Sequence, residues 1–229
     1  MIQAKKLSVG FGENQVLYSI SFSINQLSST AIVGPGGSGK STLLKMIEGS
    51  RATSDTLWKR GSLEVEHTST SYLPQKSLLE SETLFQILSA KCQPSTDIYS
   101  LLRSVWQPST DIAELLLDQI EKPLSSLNRE SRRLVEFTLT LLSPAQLLLL
   151  DEPDADLRDE YRDDVAKLLQ KLHREKTIIT VTHNIKFARK IADYIILLVD
   201  GKLIEASETE KFFTEPSRPR TRDFLRTGS

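Results

Sequence analysis

The spacing of apolar residues predicts β-strands in the first and last thirds of the chain. Residues of Gln15–Ile24 alternate with a period of two, and the side chains that this strand would place on one side are Val16, Tyr18, Ile20, Phe22 and Ile24. Short apolar runs predict four more strands, at Ser29–Val33, Leu147–Leu150, Thr177–Thr182 and Tyr194–Val199. The last run leads into the turn sequence Asp200-Gly201 and a predicted strand at Lys202–Ile204.

Helical spacing of apolar residues occurs between these strands. Lys40–Glu48 carries Leu43, Leu44 and Ile47 at such intervals, and Ile185–Ala192 is a second predicted helix. A third predicted helix, Asp159–Arg174, has one apolar face that consists of Tyr161, Val165, Leu168, Leu169 and Leu172. Strands that alternate with helices imply a parallel sheet with both faces covered, so the predicted fold class is α/β.

The middle of the chain is predicted to be a small helical insert. It is rich in serine and leucine, shows no clear strand, and has helical spacing at Leu84–Leu88 and Ile112–Leu117. Pro94, Pro108 and Pro123 interrupt it. We therefore expect a single domain over 1–229, in which 1–74 and 123–229 form the core and 75–122 forms the insert.

Composition narrows the class of protein. The 29 Lys and Arg residues balance 30 Asp and Glu residues, which argues against a protein held to nucleic acid by bulk charge. The longest apolar runs fall far short of the roughly 20 residues that a membrane-spanning helix needs, and the sequence after Met1 lacks the apolar core of a secretory signal. The single cysteine, Cys92, excludes an internal disulfide. These features predict a soluble cytosolic domain.

One glycine-rich stretch carries the strongest chemical signal. Gly34-Pro35-Gly36-Gly37-Ser38-Gly39-Lys40-Ser41-Thr42 follows a predicted strand, opens a predicted helix and matches the pattern G-x-x-x-x-G-K-[ST]. Its glycines allow successive N–H groups to surround a phosphate chain, Lys40 would reach the β- and γ-phosphates, and the Ser41 hydroxyl would bind Mg²⁺. A plain glycine-rich turn is the alternative, but a chance match in a chain of this length is on the order of one per cent.

Two acidic residues follow a buried strand. Asp151 lies where Mg²⁺ needs a carboxylate, and Glu152 could orient and deprotonate an attacking water. Taken alone, the pair would more often be an acidic helix cap beyond a core strand, but a phosphate loop in the same chain favours the catalytic interpretation. His183 follows another strand and could bond the γ-phosphate or the water. Gln75 could reach Mg²⁺ or water, and Phe11 could stack on a purine ring or simply be a core aromatic.

These residues, in this order, resemble the ATP-binding subunits of ABC transporters. The resemblance identifies Phe11 as the adenine-stacking residue, Gly34–Thr42 as Walker A, Gln75 as the Q-loop, Leu147–Glu152 as Walker B and His183 as the switch histidine. It implies a P-loop NTPase core with a parallel sheet, an antiparallel β subdomain and a helical insert that docks on membrane subunits. It also implies bound ATP and Mg²⁺, with catalysis by Glu152 and His183 and metal binding by Ser41, Gln75 and Asp151.

The C-terminal third resembles the phosphate importer ATPases most, followed by the polar amino-acid importer ATPases. The matching segments are Thr182-His183-Asn184, Ala192-Asp193-Tyr194, Leu203-Ile204-Glu205, Thr209–Phe213 and Arg220–Leu225. The resemblance implies transmembrane permease subunits as partners, no nucleic acid, and a peripheral location on the cytoplasmic side of the inner (cell) membrane.

Two segments depart from the family pattern. The signature Leu-Ser-Gly-Gly-Gln is replaced by Ser126–Ser131, which lacks both glycines, and the segment Asp154–Arg158 does not end in the usual Leu-Asp. In the family, the signature glycines clasp the γ-phosphate bound by the opposite subunit. Side chains at Asn128 and Arg129 would crowd that contact, and Glu130 would repel phosphate.

We therefore predict a motor ATPase that works as a slow homodimer, or as a heterodimer with a second ATP-binding subunit that has an intact signature. A low-turnover regulatory subunit that only binds nucleotide is the alternative, although Glu152 and His183 argue against it. A DNA-repair or chromosome ATPase head would need a long coiled-coil insertion, and the sequence between Lys40 and Ser126 has no heptads.

Overall fold

The computed structural model describes residues 1–49, 56–66, 69–75, 81–107 and 109–228. Within these residues the strands are β1 Ile2–Phe11, β2 Asn14–Ile24, β3 Ser29–Val33, β4 Leu57–Val65, β5 Thr70–Leu73, β6 Leu147–Asp151, β7 Thr177–Val181, β8 Tyr194–Val199 and β9 Lys202–Glu208. The helices are α1 Lys40–Glu48, α2 Leu84–Lys91, α3 Ile98–Val105, α4 Thr110–Leu117, α5 Arg129–Leu141, α6 Asp159–Leu172, α7 Ile185–Ile191, α8 Thr209–Thr214 and α9 Pro219–Thr227.

A six-stranded sheet forms the centre of the molecule, with the strand order β5-β6-β7-β3-β8-β9. The first five strands run parallel, and β9 returns antiparallel to β8. Every residue of β3, β6 and β7 is buried, as continuous apolar strands require when helices cover both faces. Helix α1 contacts β5, β6 and β7, and α7 contacts β3. The predicted α/β class with a parallel sheet is confirmed.

A second sheet has the order β2-β1-β4 and is antiparallel throughout. Apolar side chains of β1 and β2 share one core cluster with α1 and the central sheet. This sheet is the antiparallel part that the family resemblance implied. The sequence pattern did not set the bounds of β1 or β4, because their burial alternates irregularly.

The prediction that Val16 and Tyr18 lie on the same side of β2 as Ile20, Phe22 and Ile24 is wrong. Leu17 is fully buried, whereas the side chain of Tyr18 is 42% exposed and Val16 is only partly buried. Ser19 has a φ of 50°, and the pairing with β1 shifts between Val9↔Leu17 and Leu7↔Ile20. This irregularity adds a residue to β2, so the side chains before it point to the opposite face from the one that strict alternation predicts.

The middle of the chain is helical where it is described. Helices α2, α3 and α4 begin at caps whose side chains accept backbone N–H bonds, namely Thr83, Asp97 and Ser109. Trp106 is buried against Phe137 of α5 and donates its ring N–H to Thr138. Residues 76–80 and 108 of the predicted insert lie outside the described residues. Among the described helices, none is both long and apolar enough to cross a membrane.

Candidate nucleotide site

The glycine-rich loop joins the central strand β3 to α1. Gly34 has a φ of 148°, and a Cβ there would lie 1.9 Å from the carbonyl oxygen of Leu198. Gly39 has a φ of 87°, and its Cβ would lie 2.8 Å from a methyl group of Leu17. Helix α1 begins without a side-chain cap, so the N–H groups of its first turn remain available for an anion. The loop therefore has the backbone shape that the sequence predicted, with glycine required at two of its positions.

Lys40 is buried at the base of the loop. Its Nζ donates to the carbonyl oxygens of Gly34 and Pro35, both at 2.8 Å. Burial lowers the pKa of the Lys40 ammonium, while the carboxylates of Glu152 and Asp151 oppose that shift. The ammonium of Lys40 is thus held by main-chain oxygens inside the loop.

Ser41 and Asp151 lie side by side between the loop and β6. The Ser41 hydroxyl donates to Oδ1 of Asp151 at 3.1 Å, and the Tyr72 hydroxyl donates to Oδ2 at 3.3 Å. Burial raises the pKa of the Asp151 carboxyl, and the two hydrogen bonds oppose the shift. A buried carboxylate beside a hydroxyl is the oxygen ligand set that Mg²⁺ prefers, with phosphate and water oxygens completing the octahedron. The residues therefore fit a magnesium ion. Thr42, the next residue of α1, is partly buried.

Glu152 lies between Gln75 and His183. Nε2 of Gln75 donates to Oε2 of Glu152 at 3.1 Å, and Nδ1 of His183 lies 3.5 Å from Oε1 of the same carboxylate. Gln75 follows β5, Glu152 follows β6 and His183 follows β7, so three neighbouring parallel strands bring these side chains to one edge of the sheet. The structure thus brings together three residues that are 77 and 31 positions apart in the sequence.

Phe11 lies at the end of β1, in the antiparallel sheet, and its side chain is only partly buried. It pairs with Asn14 of β2 and Leu57 of β4. Residues Val16 and Leu17 of β2 approach the loop at Gly39, so the antiparallel sheet adjoins the phosphate loop. The stacking role of Phe11 stays a prediction.

Sequence reasoning missed two residues that contact the acidic pair. One is Tyr72, which bonds Asp151, and the other is Arg133 of α5, whose guanidinium donates to the carbonyl oxygens of Asp151 and Glu152. A signal for Arg133 was present, because Arg133 and Glu136 are spaced to pair within a helix that has apolar residues on both sides of them. Tyr72 could not be found this way, since a tyrosine in a short strand is ordinary.

The altered signature segment has its own internal bonds. Asn128 caps α5 by accepting the N–H of Ser131, and the Ser126 hydroxyl donates to the carbonyl oxygen of Pro123. The guanidinium of Arg158 donates to Glu130 at 2.7 Å, and the Arg158 N–H donates to the same carboxylate at 2.8 Å. The bonds from Arg158 lower the pKa of the Glu130 carboxyl. The two segments that depart from the family pattern are therefore joined to each other.

These positions define the class of protein. A glycine-rich loop connects a central parallel strand to a helix, and a carboxylate that reaches the loop's serine ends another strand of the same sheet. That arrangement is the nucleotide site of a P-loop NTPase.

Comparison with known proteins places the chain within that class. The family model described as ABC transporter matches residues 17–155. A putative ABC transporter ATP-binding protein of Bacillus subtilis, YjkB, is 31% identical over 93% of this chain and 88% of its own length. A probable amino-acid ABC transporter ATP-binding protein of Haemophilus influenzae is 30% identical over 98% and 94%. The phosphate import ATP-binding protein PstB 2 of Bacillus subtilis is 26% identical over 98% and 90%.

The chain belongs to the family of ABC transporter ATP-binding proteins. It is an ATP-binding subunit of an ABC transporter, in a family of ATPases that drive transport. The predicted family, fold class and general activity are confirmed.

Proposed function

We propose that the chain binds MgATP at Gly34–Thr42 and hydrolyses it to drive the import of phosphate or a polar amino acid. The observation that carries this proposal is the position of Glu152, whose carboxylate is held between Gln75 and His183. A base in that position, one residue beyond the Asp151–Ser41 pair, can receive the proton of a water that attacks the γ-phosphate.

Lys40 and the loop bind the phosphate chain in this proposal. The loop N–H groups and the N-terminus of α1 face the phosphate oxygens, and Lys40 exchanges its two carbonyl partners for oxygens of the β- and γ-phosphates. Mg²⁺, when bound, neutralises the charge that develops on these oxygens. Ser41 and Asp151 are the residues that hold it, with Gln75 as a third oxygen ligand.

Glu152 orients the water and accepts its proton. Gln75 donates to one carboxylate oxygen, and His183 approaches the other, so the carboxylate has a fixed orientation before the nucleotide arrives. His183 is also exposed enough to reach the γ-phosphate. Phe11 supplies a flat surface for the adenine ring.

The names of the relatives support an importer and a membrane partner. Those relatives are named for phosphate import and for amino-acid transport, and they cover nearly the whole of this chain. We propose that the insert 75–122 contacts transmembrane permease subunits, which places the chain peripherally on the cytoplasmic side of the cell membrane. No nucleic acid is a partner, because the charge of the chain is balanced.

The altered signature bears on the dimer. Asn128, Arg129 and Glu130 stand where the family pattern has Ser-Gly-Gly, and Arg158 neutralises part of the charge of Glu130. The chain therefore keeps its own phosphate loop, Mg²⁺ ligands and base, and offers an altered surface to a partner. We propose a slow homodimer or a heterodimer with a subunit whose signature is intact. A low-turnover regulatory subunit is the second candidate, which this altered surface favours.

The test is steady-state phosphate release with MgATP by the wild-type chain and by Glu152→Gln. We expect the variant to bind ATP normally and to lose about 10²- to 10⁴-fold in rate, because a glutamine cannot accept the proton. Glu160→Gln, a change at an exposed acidic residue of α6, serves as the matched control and should keep the wild-type rate. Equal rates for wild type and Glu152→Gln, with ATP bound tightly in both, would favour the regulatory subunit.

A further inference from the structure

Arg133 and Glu136 form a buried ion pair in the middle of α5. Their side chains are 6% and 8% exposed, and Nη1 of Arg133 lies 3.3 Å from Oε2 of Glu136. Burial lowers the pKa of the Arg133 guanidinium, and the Glu136 carboxylate opposes that shift. Charged side chains are almost never buried this deeply unless they are paired, and the Arg133–Glu136 contact supplies that pairing.

The guanidinium also donates to three main-chain carbonyls from two segments of the nucleotide site. Nη1 bonds the carbonyl oxygen of Pro74 at 2.7 Å, and Nη2 bonds the carbonyl oxygen of Glu152 at 2.9 Å and that of Asp151. Pro74 precedes Gln75 directly. The planar fork of one arginine therefore connects the backbone next to Gln75 with the backbone of the acidic pair.

Two of these bonds define a turn in the backbone. Successive carbonyls of an extended strand point in opposite directions, yet the carbonyls of Asp151 and Glu152 converge on the same Nη2. The reversal occurs at Glu152, which has a φ of 53°, a conformation that costs a non-glycine residue free energy. That turn directs the Glu152 side chain away from the strand, toward Gln75 and His183.

The hydrogen-bonding capacity of the ion pair is not completely used, although Arg133 bonds Glu136 and three carbonyls. Within the described part of the chain, Nε of Arg133 and Oε1 of Glu136 are buried without a hydrogen-bond partner. A buried ion pair with unmatched polar atoms loses more in desolvation than it regains, and an apolar pair of similar size commonly gives equal or higher stability. Stability alone therefore does not account for Arg133 at this position.

We propose that Arg133 is a positioning residue that sets the orientation of the Glu152 carboxylate by holding the turn at Asp151-Glu152 and fixing it to the segment that carries Gln75. The inference rests on the proposed role of Glu152 as the base. Glu136 holds Arg133 in place and compensates its charge.

The kinetic test uses the double variant Arg133→Met/Glu136→Leu, which replaces the pair with apolar side chains and leaves no unpaired buried charge. We expect kcat for phosphate release to fall roughly 10- to 100-fold, the cost of a small misplacement of a catalytic group, with KM for ATP within about threefold of wild type. Arg133→Lys should recover only part of the rate, because an ammonium lacks the planar fork that spans three carbonyls.

A matched control separates positioning from folding. Thr138→Val removes a buried hydrogen bond of the same helix, between its hydroxyl and Trp106, at a point that does not contact the acidic pair. Urea unfolding midpoints are measured for every variant. We expect Thr138→Val to lose stability while keeping kcat, and the double variant, which leaves three carbonyl oxygens without the Arg133 donor, to lose kcat as well as stability.

A spectroscopic readout tests the inference without turnover. In chains labelled with ¹³C-histidine, the Cε1–Hε1 cross-peak of His183, assigned by its loss in His183→Gln, reports the nearby Glu152 carboxylate. We expect the double variant to shift this cross-peak in the direction that Glu152→Ala shifts it, and to leave the His173 cross-peak unchanged. An unmoved His183 cross-peak overturns the proposal, as does a kcat within threefold of wild type.

The experiments distinguish failure of the proposed function from failure of the proposed role of Arg133. If the wild-type chain releases phosphate no faster than Glu152→Gln, the proposed function fails, and the His183 cross-peak alone decides whether Arg133 sets the Glu152 side chain. If wild type depends on Glu152 but either kcat or the His183 cross-peak does not respond to the double variant, the positioning role of Arg133 fails while the proposed function stands.

Discussion

At the scale of single residues, Lys40 shows how the site holds a charge ready for a phosphate. Its ammonium lies among the carbonyls of Gly34 and Pro35, in a site that burial makes unfavourable for a cation. The neighbouring acids Glu152 and Asp151 offset part of that cost. A phosphate oxygen is a stronger acceptor than a carbonyl, so under the proposed function Lys40 would exchange its carbonyl partners for phosphate oxygens when the nucleotide binds.

Lys40→Ala should lower ATP affinity about 10- to 150-fold, which corresponds to the roughly 1.5–3 kcal/mol of a hydrogen bond to a charged group. Titration of a fluorescent ATP analogue measures the change. Lys45→Ala, at an exposed position of the same helix, should bind as wild type does. Wild-type affinity in Lys40→Ala would contradict the assignment of the phosphate loop.

At the scale of elements, the buried carboxylate of Glu205 attaches the C-terminal helix α9 to the central sheet through hydrogen bonds. Glu205 of β9 accepts the backbone N–H groups of Ser217 and Arg218 at 2.9 and 3.1 Å and the Thr221 hydroxyl at 2.6 Å. Burial raises the pKa of the Glu205 carboxyl, but these hydrogen bonds outweigh it and hold the pKa below its ordinary value of 4.5. The ionised form therefore stabilises the attachment of α9.

Because the folded-state pKa of Glu205 is depressed, its stabilising contribution is fully present above about pH 4.5 and is lost as pH falls through the lower folded value. Glu205→Gln should cost roughly 1–3 kcal/mol in the free energy of unfolding near neutral pH. Urea unfolding between pH 7 and pH 3 measures this cost, which should shrink below pH 4.5. Glu208→Gln, an exposed neighbour, should show no such cost. A cost for Glu205→Gln that is independent of pH would contradict the role of the ionised carboxylate.

At the scale of the whole molecule, the proposed function divides the site into a part that the chain would supply to its own nucleotide and a part that it would present to a partner. The first part is assembled by the ends of β3, β5, β6 and β7. The second begins at α5, where Glu130 is bonded to Arg158. The Arg158 guanidinium also lies 4.2 Å from the centre of the Tyr161 ring, so a cation–π contact adds to the Arg158–Glu130 ion pair.

In a homodimer, glycines at the signature would supply two backbone N–H groups to the partner's γ-phosphate without side-chain obstruction. Arg129→Gly/Glu130→Gly should therefore raise phosphate release at least about tenfold, in a manner that depends on protein concentration. The same change in a Glu152→Gln background is the control and should stay inactive. A rate that the glycines leave unchanged at every concentration would contradict a contribution of this surface across a homodimer.

Local sequence was sufficient wherever a residue's role depends on its neighbours in the chain. The pattern located β3, the loop and α1 with their observed bounds, since a buried strand, a glycine turn and a helix start each have local signals. It failed at Tyr18, because the bulge at Ser19 depends on pairing with β1. It also missed α3 and α5, although apolar residues with helical spacing are present in both helices.

The sequence by itself determined the phosphate loop, the acidic pair and the alternating α/β order, because each is written in consecutive residues and in the spacing of apolar side chains. Only the tertiary structure decided which groups meet. The parallel sheet brings Gln75 and His183 to Glu152, and the packing of α5 on that sheet buries Arg133 against carbonyls from residues 59 and 18–19 positions away. Because every residue carries the same main-chain carbonyl, no pattern of residue types could have predicted which carbonyls accept hydrogen bonds from Arg133.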